Sequence, residues 1–167
     1  MIGAKPGQVV IILGAGDPEL AAEVALVTGL NGHTTVVDRG DEARHRIEAA
    51  GARAGALIEF VDAPLGMLPV DSESADLVVL HAQLAAKNPQ ARGDIVREAA
   101  RIVRSGQRVV MIEGAKRGGV WGLLPAPPAA LDESTGRAML SAAGLTAARR
   151  LADVEGIAFF EARRRAE

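Results

Sequence analysis

Five apolar residues that stop at a glycine limit the folds open to this chain more than any other feature in it. Val9, Val10, Ile11, Ile12 and Leu13 are too few for a core helix, and all but Leu13 are β-branched. Such a run suits a strand buried on both faces of a parallel sheet. Gly14-Ala15-Gly16 follows, then Asp17-Pro18-Glu19, then Leu20, Val24 and Val27 at helical spacing. Asp17 suits a helix N-cap and Pro18 the first helical position. A second apolar strand, Thr34 to Val37, ends in Asp38. Strand, glycine turn, helix, strand and acid make a nucleotide-binding βαβ unit; the plainer alternative is a tight strand–helix turn in an ordinary α/β domain.

The helix start narrows the ligand. A dinucleotide site needs a third glycine and bare N–H groups to hold a pyrophosphate. Here Pro18 removes one N–H group, and Asp17 and Glu19 place negative charge at the positive end of the helix. Both features oppose a phosphate. A ligand with a ribose and no phosphate is unharmed, and S-adenosylmethionine is the common one. Asp38 lies 22 residues after Gly16 (38 − 16), close to the spacing of an acid that takes ribose hydroxyls.

At 167 residues the chain is expected to be one domain with a full core. A net charge of −2 makes no electrostatic case for nucleic acid or an anionic membrane. No apolar run reaches transmembrane length. The absence of cysteine excludes disulfides and thiolate metal sites, and fits a cytoplasmic location. Three scattered histidines give no metal site support; His33 and His45 read as surface residues.

Further along, Asp41 to Ala50 reads as a helix with Gly51 near its end, and Leu57 to Val61 as a third strand closed by Asp62-Ala63-Pro64. Pro64 to Ser74 is turn-rich. Leu77 to Leu80 is a fourth strand running into His81, Pro89 to Val103 a helix, and Arg108 to Ile112 a fifth strand after the turn at Ser105-Gly106. The 114–130 loop is rich in glycine and proline around Trp121, Leu123 and Leu124. Asp132 to Ala143 is the last helix. Leu145 to Asp153 and Ile157 to Arg163 pair as a hairpin, and Arg163 to Arg165 read as a solvated end. This alternation predicts an α/β fold: a doubly wound, mostly parallel seven-stranded sheet with an antiparallel C-terminal hairpin.

With these stretches in view, the chain resembles the class I S-adenosylmethionine-dependent methyltransferase family, in its small minimal-core form, over roughly Val9 to Arg163. VVIILGAGDPELA sits where the family has its first motif, and TTVVD places Asp38 as the ribose acid. FVDA is similar to the motif whose acid, here Asp62, approaches the adenine amino group while Ala63 offers its N–H to the ring. EAARIVRSGQRVVMIE resembles the helix, turn and fifth strand that follow. The chain departs from the family at Pro18, where a third small residue is common. It departs again at Ala75, where a bulky aromatic is common, and at RSGQ, which lacks the usual proline.

The resemblance implies a donor site at Gly14, Gly16, Asp38, Asp62, Ala63 and Leu80, with S-adenosylmethionine as cofactor. Asp62 has the alternative of capping the next segment. His81 ends the fourth strand, where it could touch the methionine moiety, deprotonate an acceptor, or be satisfied by a carbonyl. Glu113 ends the fifth strand, where acceptor contact competes with pairing to Lys116 or Arg117. Trp121, Leu123 and Leu124 could line an acceptor pocket, meet a second copy or partner subunit, or anchor their loop. The expected activity is methyl transfer to a small molecule, achieved mainly by positioning. The alternative is a non-catalytic binding or partner subunit of the same fold.

Overall fold

The computed structural model describes residues 2–81, 84, 87–114, 131–154 and 157–166. In chain order the elements are β1 (Val9–Leu13), α1 (Pro18–Thr28), β2 (His33–Asp38), α2 (Asp41–Ala54), β3 (Glu59–Asp62) and β4 (Ala75–His81). They continue as α3 (Pro89–Ile102), β5 (Val103–Glu113), α4 (Glu133–Ala142), β6 (Thr146–Val154) and β7 (Ile157–Arg163). The strands form one seven-stranded sheet in the order β3-β2-β1-β4-β5-β7-β6. Strands β1 to β5 are parallel, while β7 is antiparallel to both β5 and β6. The doubly wound sheet and its antiparallel hairpin are as expected. Lys116, Arg117, Trp121, Leu123, Leu124 and the hairpin turn at 155–156 lie outside the described residues.

Both faces of the sheet are covered, which is why β1 is apolar at every position. Ile11, Leu13, Val78, Leu80 and Met111 face α3 and α4 through Ile95, Val96, Ala99 and Leu140. Val10, Ile12, Val36, Val79 and Val110 lie on the other face with Ala21, Val24, Ala43 and Ile47 of α1 and α2. Residues of the two sets alternate along each strand, as the pleat requires. Gly136 of α4 is a packing glycine: a Cβ there would sit 2.7 Å from the Phe160 ring, which is fully buried.

Several boundaries differ from expectation for local reasons. Helix α2 runs through Gly51 and stops at Gly55, which takes a left-handed conformation (φ 68°). Gly51 is instead buried, where a Cβ would stand 3.0 Å from the Ala56 carbonyl as the chain turns back to the sheet. In α1 the buried face is Ala21, Ala22, Val24, Ala25 and Thr28, and Val27 is exposed. The small alanines let this helix lie close on the sheet. Strand β5 begins at Val103: pairing jumps from Ala75–Val103 to Leu77–Arg108, so Ser105 and Gly106 form a bulge inside a strand.

No helix fills the crossover between β3 and β4. Arg101 of α3 clamps that segment by donating to the Leu68 and Val70 carbonyls at 3.2 and 2.9 Å, while Glu98 accepts the Leu68 N–H at 2.9 Å. The C-terminal arginines are not all solvated. Arg164 donates to the carbonyls of Ala100, Arg101 and Val103 at 3.1, 2.9 and 3.0 Å. It thus covers the acceptors that the end of α3 leaves unpaired, with a cation at the negative end of the helix.

Candidate donor site

The strand order reverses between β1 and β4, and ligands of open α/β sheets bind outside the strand ends at such a point. Gly14 leaves β1 with φ 106°, a conformation that only glycine adopts without strain, and donates its N–H to the Val37 carbonyl at 2.9 Å. The Ala15 N–H then reaches across to Asp38 Oδ2 at 2.8 Å. The other carboxylate oxygen, Oδ1, accepts the Arg39 N–H at 2.8 Å. These bonds staple the turn after β1 to the end of β2, leaving Asp38 half-buried and Gly16 exposed at the tip.

The helix tip has the character expected of it. Asp17 caps α1 by accepting the Leu20 N–H at 3.0 Å, and Pro18 occupies the first turn beside Glu19. One donor that would cradle a phosphate is thus missing at Pro18, and another, the Leu20 N–H, is already matched with a carboxylate.

Asp62 sits beside Asp38 in the parallel register. Its side chain is exposed and accepts only a long bond, 3.4 Å, from the Gly40 N–H. The structure corrects one detail at Ala63. Its N–H, expected to face a ring, is donated to the Asp38 carbonyl at 3.1 Å as the last rung of the β2–β3 ladder. Beyond these residues opens a groove of about 350 Å³ whose walls include Asp38, Arg39, Pro64, Leu65, Lys87 and Ala91. A larger hollow of about 580 Å³ lies at the opposite ends of β2 and β3, around Leu30, His33 and Leu57, away from the glycine turn. Topology rather than size locates the chemistry here.

Three expected residues at the β4 and β5 ends do not converge. Leu80 is fully buried among the core side chains on the α3 and α4 face, so its side chain does not border the crevice. Glu113, which follows Met111 on that same face by alternation, is buried and accepts the Leu84 N–H at 3.0 Å. It ties down the chain after β4 instead of standing open to an acceptor.

His81 is the next residue after Leu80 and turns to the α1 face. Its Nδ1 is buried and has no hydrogen-bond partner among the described residues. Burial lowers the imidazole pKa below its ordinary value, and the nearby Asp17 carboxylate offsets part of that shift. Burial thus favours the neutral form of the ring. Among the described residues no cluster of three metal-ligating side chains occurs.

Sequence reasoning passed over Arg39 and Lys87, which the fold brings to one groove. The only signal for Arg39 was its place directly after the acid.

A family model described as a methyltransferase domain matches residues 12–111. The chain belongs to the methyltransferase domain family. The match runs from the end of β1 to near the end of β5 and so contains the glycine turn, Asp38, Asp62 and His81. This methyltransferase domain is also 25% identical over 118 residues to the ubiquinone/menaquinone biosynthesis C-methyltransferase UbiE of Vibrio vulnificus. That alignment covers 68% of the chain but only 44% of the relative, so the chain spans less than half the length of that protein.

Among solved structures, the domain is similar to a SAM-dependent methyltransferase from Aquifex aeolicus. That likeness has a TM-score of 0.75 at 17% identity, covering 96% of this chain and 83% of that one. It is similar also to the [4+2]-cyclase SpnF, with a TM-score of 0.75 at 13% identity, covering 98% and 76%. At such identities these likenesses establish the fold, and one fold carries more than one chemistry. Among the described residues no helix is long and apolar enough to cross a membrane.

Proposed function

We propose that the chain is a single methyltransferase domain that binds S-adenosylmethionine between the glycine turn and Asp38 and passes its methyl group to a small-molecule acceptor. The Asp38 carboxylate carries this reading. An ionised carboxylate has about four lone-pair sites, and two of these are taken by the Ala15 and Arg39 N–H groups. Two remain, one for each of two adjacent ribose hydroxyls. The same two N–H bonds hold the carboxylate still before any ligand arrives, which reduces the ordering cost of binding.

Other residues suit the same ligand. Gly14 and Gly16 let backbone come close to it, and Asp62 has open acceptor capacity for an exocyclic amine. Ala63 contributes buried backbone beside it instead of a free N–H. When bound, S-adenosylmethionine supplies a methyl group on a positively charged sulfur that departs as a neutral thioether. The chain therefore has no leaving anion to stabilise, and its task is to align nucleophile, carbon and sulfur. His81, at the crevice end of β4, is the residue to take a proton from an acceptor that must lose one. Glu113 acts on this site through Leu84, as a positioning residue.

Calorimetric titration with S-adenosylmethionine, S-adenosylhomocysteine and NADH tests the reading. Binding of the first two without the third is expected. Binding of none, or of NADH alone, overturns it.

A further inference from the structure

We propose that the groove between α3 and α4 is a second ligand site, one that takes an apolar carboxylate. Arg92 and Arg97 meet its anionic head, and the facing surfaces of the two helices line its body. The groove encloses about 400 Å³, a volume usual for small-molecule sites. Its α3 wall is Pro89, Gly93 and Arg97, spaced four apart and so on one stripe of the helix, with Arg92 alongside. Its α4 wall is Thr135, Met139, Ala142 and Ala143. Ala91, Asp94 and Ile95 of α3 line the groove beside Asp38 instead, so this helix separates the new site from the donor site. The inference therefore stands apart from the donor-site reading.

Gly93 keeps the groove open. A glycine inside a helix weakens it, and a left-handed turn or a close approach is the usual reason to have one. Neither holds here. Gly93 lies within α3 without a positive φ, and a Cβ there would meet nothing nearer than Arg97 Nη1 at 4.0 Å. Gly136 of α4 is the contrast, since its Cβ would strike the Phe160 ring at 2.7 Å. The missing side chain at Gly93 leaves space, and on the facing helix Met139 and Ala143 are half-buried.

Charge decides what fills that space. Two of the lining residues are cations and none is an acid. Arg92 is held by donating its Nε–H to the Lys87 carbonyl at 2.8 Å. Arg97 pairs with Asp94 on its own helix, and an exposed pair of that kind contributes little and is readily exchanged for a ligand carboxylate. The α4 wall brings no counter-charge: its one polar side chain, Thr135, donates its hydroxyl to Asp132 at 2.7 Å. A guanidinium takes a carboxylate as a fork, with two N–H bonds at once, and the apolar walls take the carbons behind it. A bare inorganic anion leaves those walls wet, and a cation is repelled.

The test is calorimetric titration of the full chain with octanoate, octanol and octylammonium, for the unaltered protein, Arg97→Gln and Gly93→Leu. Octanoate is expected to bind the unaltered protein with a Kd of about 1 mM or tighter, and the other two about tenfold more weakly or worse. Arg97→Gln should weaken octanoate about tenfold, so that octanoate and octanol then bind alike. Gly93→Leu fills the groove with a better helix former and should abolish octanoate binding at an unchanged or raised Tm. Absence of octanoate binding to the unaltered protein overturns the inference. So does equal binding of octanoate and octanol there, or octanoate binding that survives in Gly93→Leu. A dimer seen by sedimentation that Gly93→Leu dissociates marks the groove as a contact between copies and also overturns it. S-adenosylhomocysteine should titrate Gly93→Leu as it does the unaltered protein; loss of both ligands at an unchanged Tm overturns the claim of a separate site.

Discussion

Replacing Asp38 by asparagine changes one atom of the side chain and removes three things together. The charge goes. So does half of the acceptor capacity, because one carboxylate oxygen becomes an NH₂ group with no lone pair to offer. And whichever way the amide is flipped, the NH₂ faces either the Ala15 N–H or the Arg39 N–H, donor against donor, at sites where the carboxylate now accepts at 2.8 Å.

Hydrogen bonds to a charged group contribute about 1.5–3 kcal/mol each. Two ribose hydroxyls bound to Asp38 therefore stand for about 3–6 kcal/mol. The one oxygen left in Asp38→Asn can recover part of this, so the expected loss is about 3 kcal/mol, roughly a hundredfold in Kd at 1.4 kcal/mol per tenfold. Folding should suffer less. Ala15 is almost fully buried, and leaving its N–H unmatched costs about 1–3 kcal/mol, a fall of a few degrees in Tm. The assay is titration with S-adenosylhomocysteine at a temperature where melting curves show the variant folded. A folded Asp38→Asn protein that binds as tightly as the parent would refute the lone-pair argument.

Four further outcomes are expected. Because burial lowers the His81 pKa, the unfolded chain takes up a proton first as pH falls below about 6.5. Stability should thus decline from there down to the lowered folded value, and His81→Gln should flatten that decline in denaturant titrations at stepped pH. The same variant should lose the acid limb of the methyl-transfer rate profile if the acceptor gives up its proton to His81. Arg164→Ala strips three carbonyls at the end of α3 of their donor and should cost about 1–3 kcal/mol, read as a lower urea midpoint with little change in m-value. Gly136→Ala drives a methyl group against the buried Phe160 ring and should cost about 1–3 kcal/mol by the same measurement; a neutral result means that α4 shifts freely on the sheet.

The βαβ unit was legible because its signals are local. Uninterrupted β-branched residues, a glycine turn, a capping acid and a proline each act within a few residues, and Asp17 and Pro18 take the roles that local chemistry assigns them. The end of α2 was misjudged at Gly51 because a glycine's part depends on what lies over it. Gly51 meets the Ala56 carbonyl, and nothing in its neighbours announces that. Glu113 shows the limit for site residues. Strand periodicity states that it alternates with Ile112, but only the burial of Met111 and Ile112 on opposite faces says which side it turns to.

By itself, then, the sequence determined the strand–turn–helix–acid unit, the alternation that demands a doubly wound sheet, and a helix tip hostile to phosphate. Each of these follows from backbone conformation, capping or charge among neighbours in the chain. Tertiary structure alone decided that His81 and Glu113 part to opposite faces, that Ala63 spends its N–H on Asp38, that Arg164 serves the end of α3, and that Arg39 and Lys87 share a groove. Those facts depend on register and on contacts between residues far apart in sequence, where a shift of one position turns every side chain of a strand to the other face.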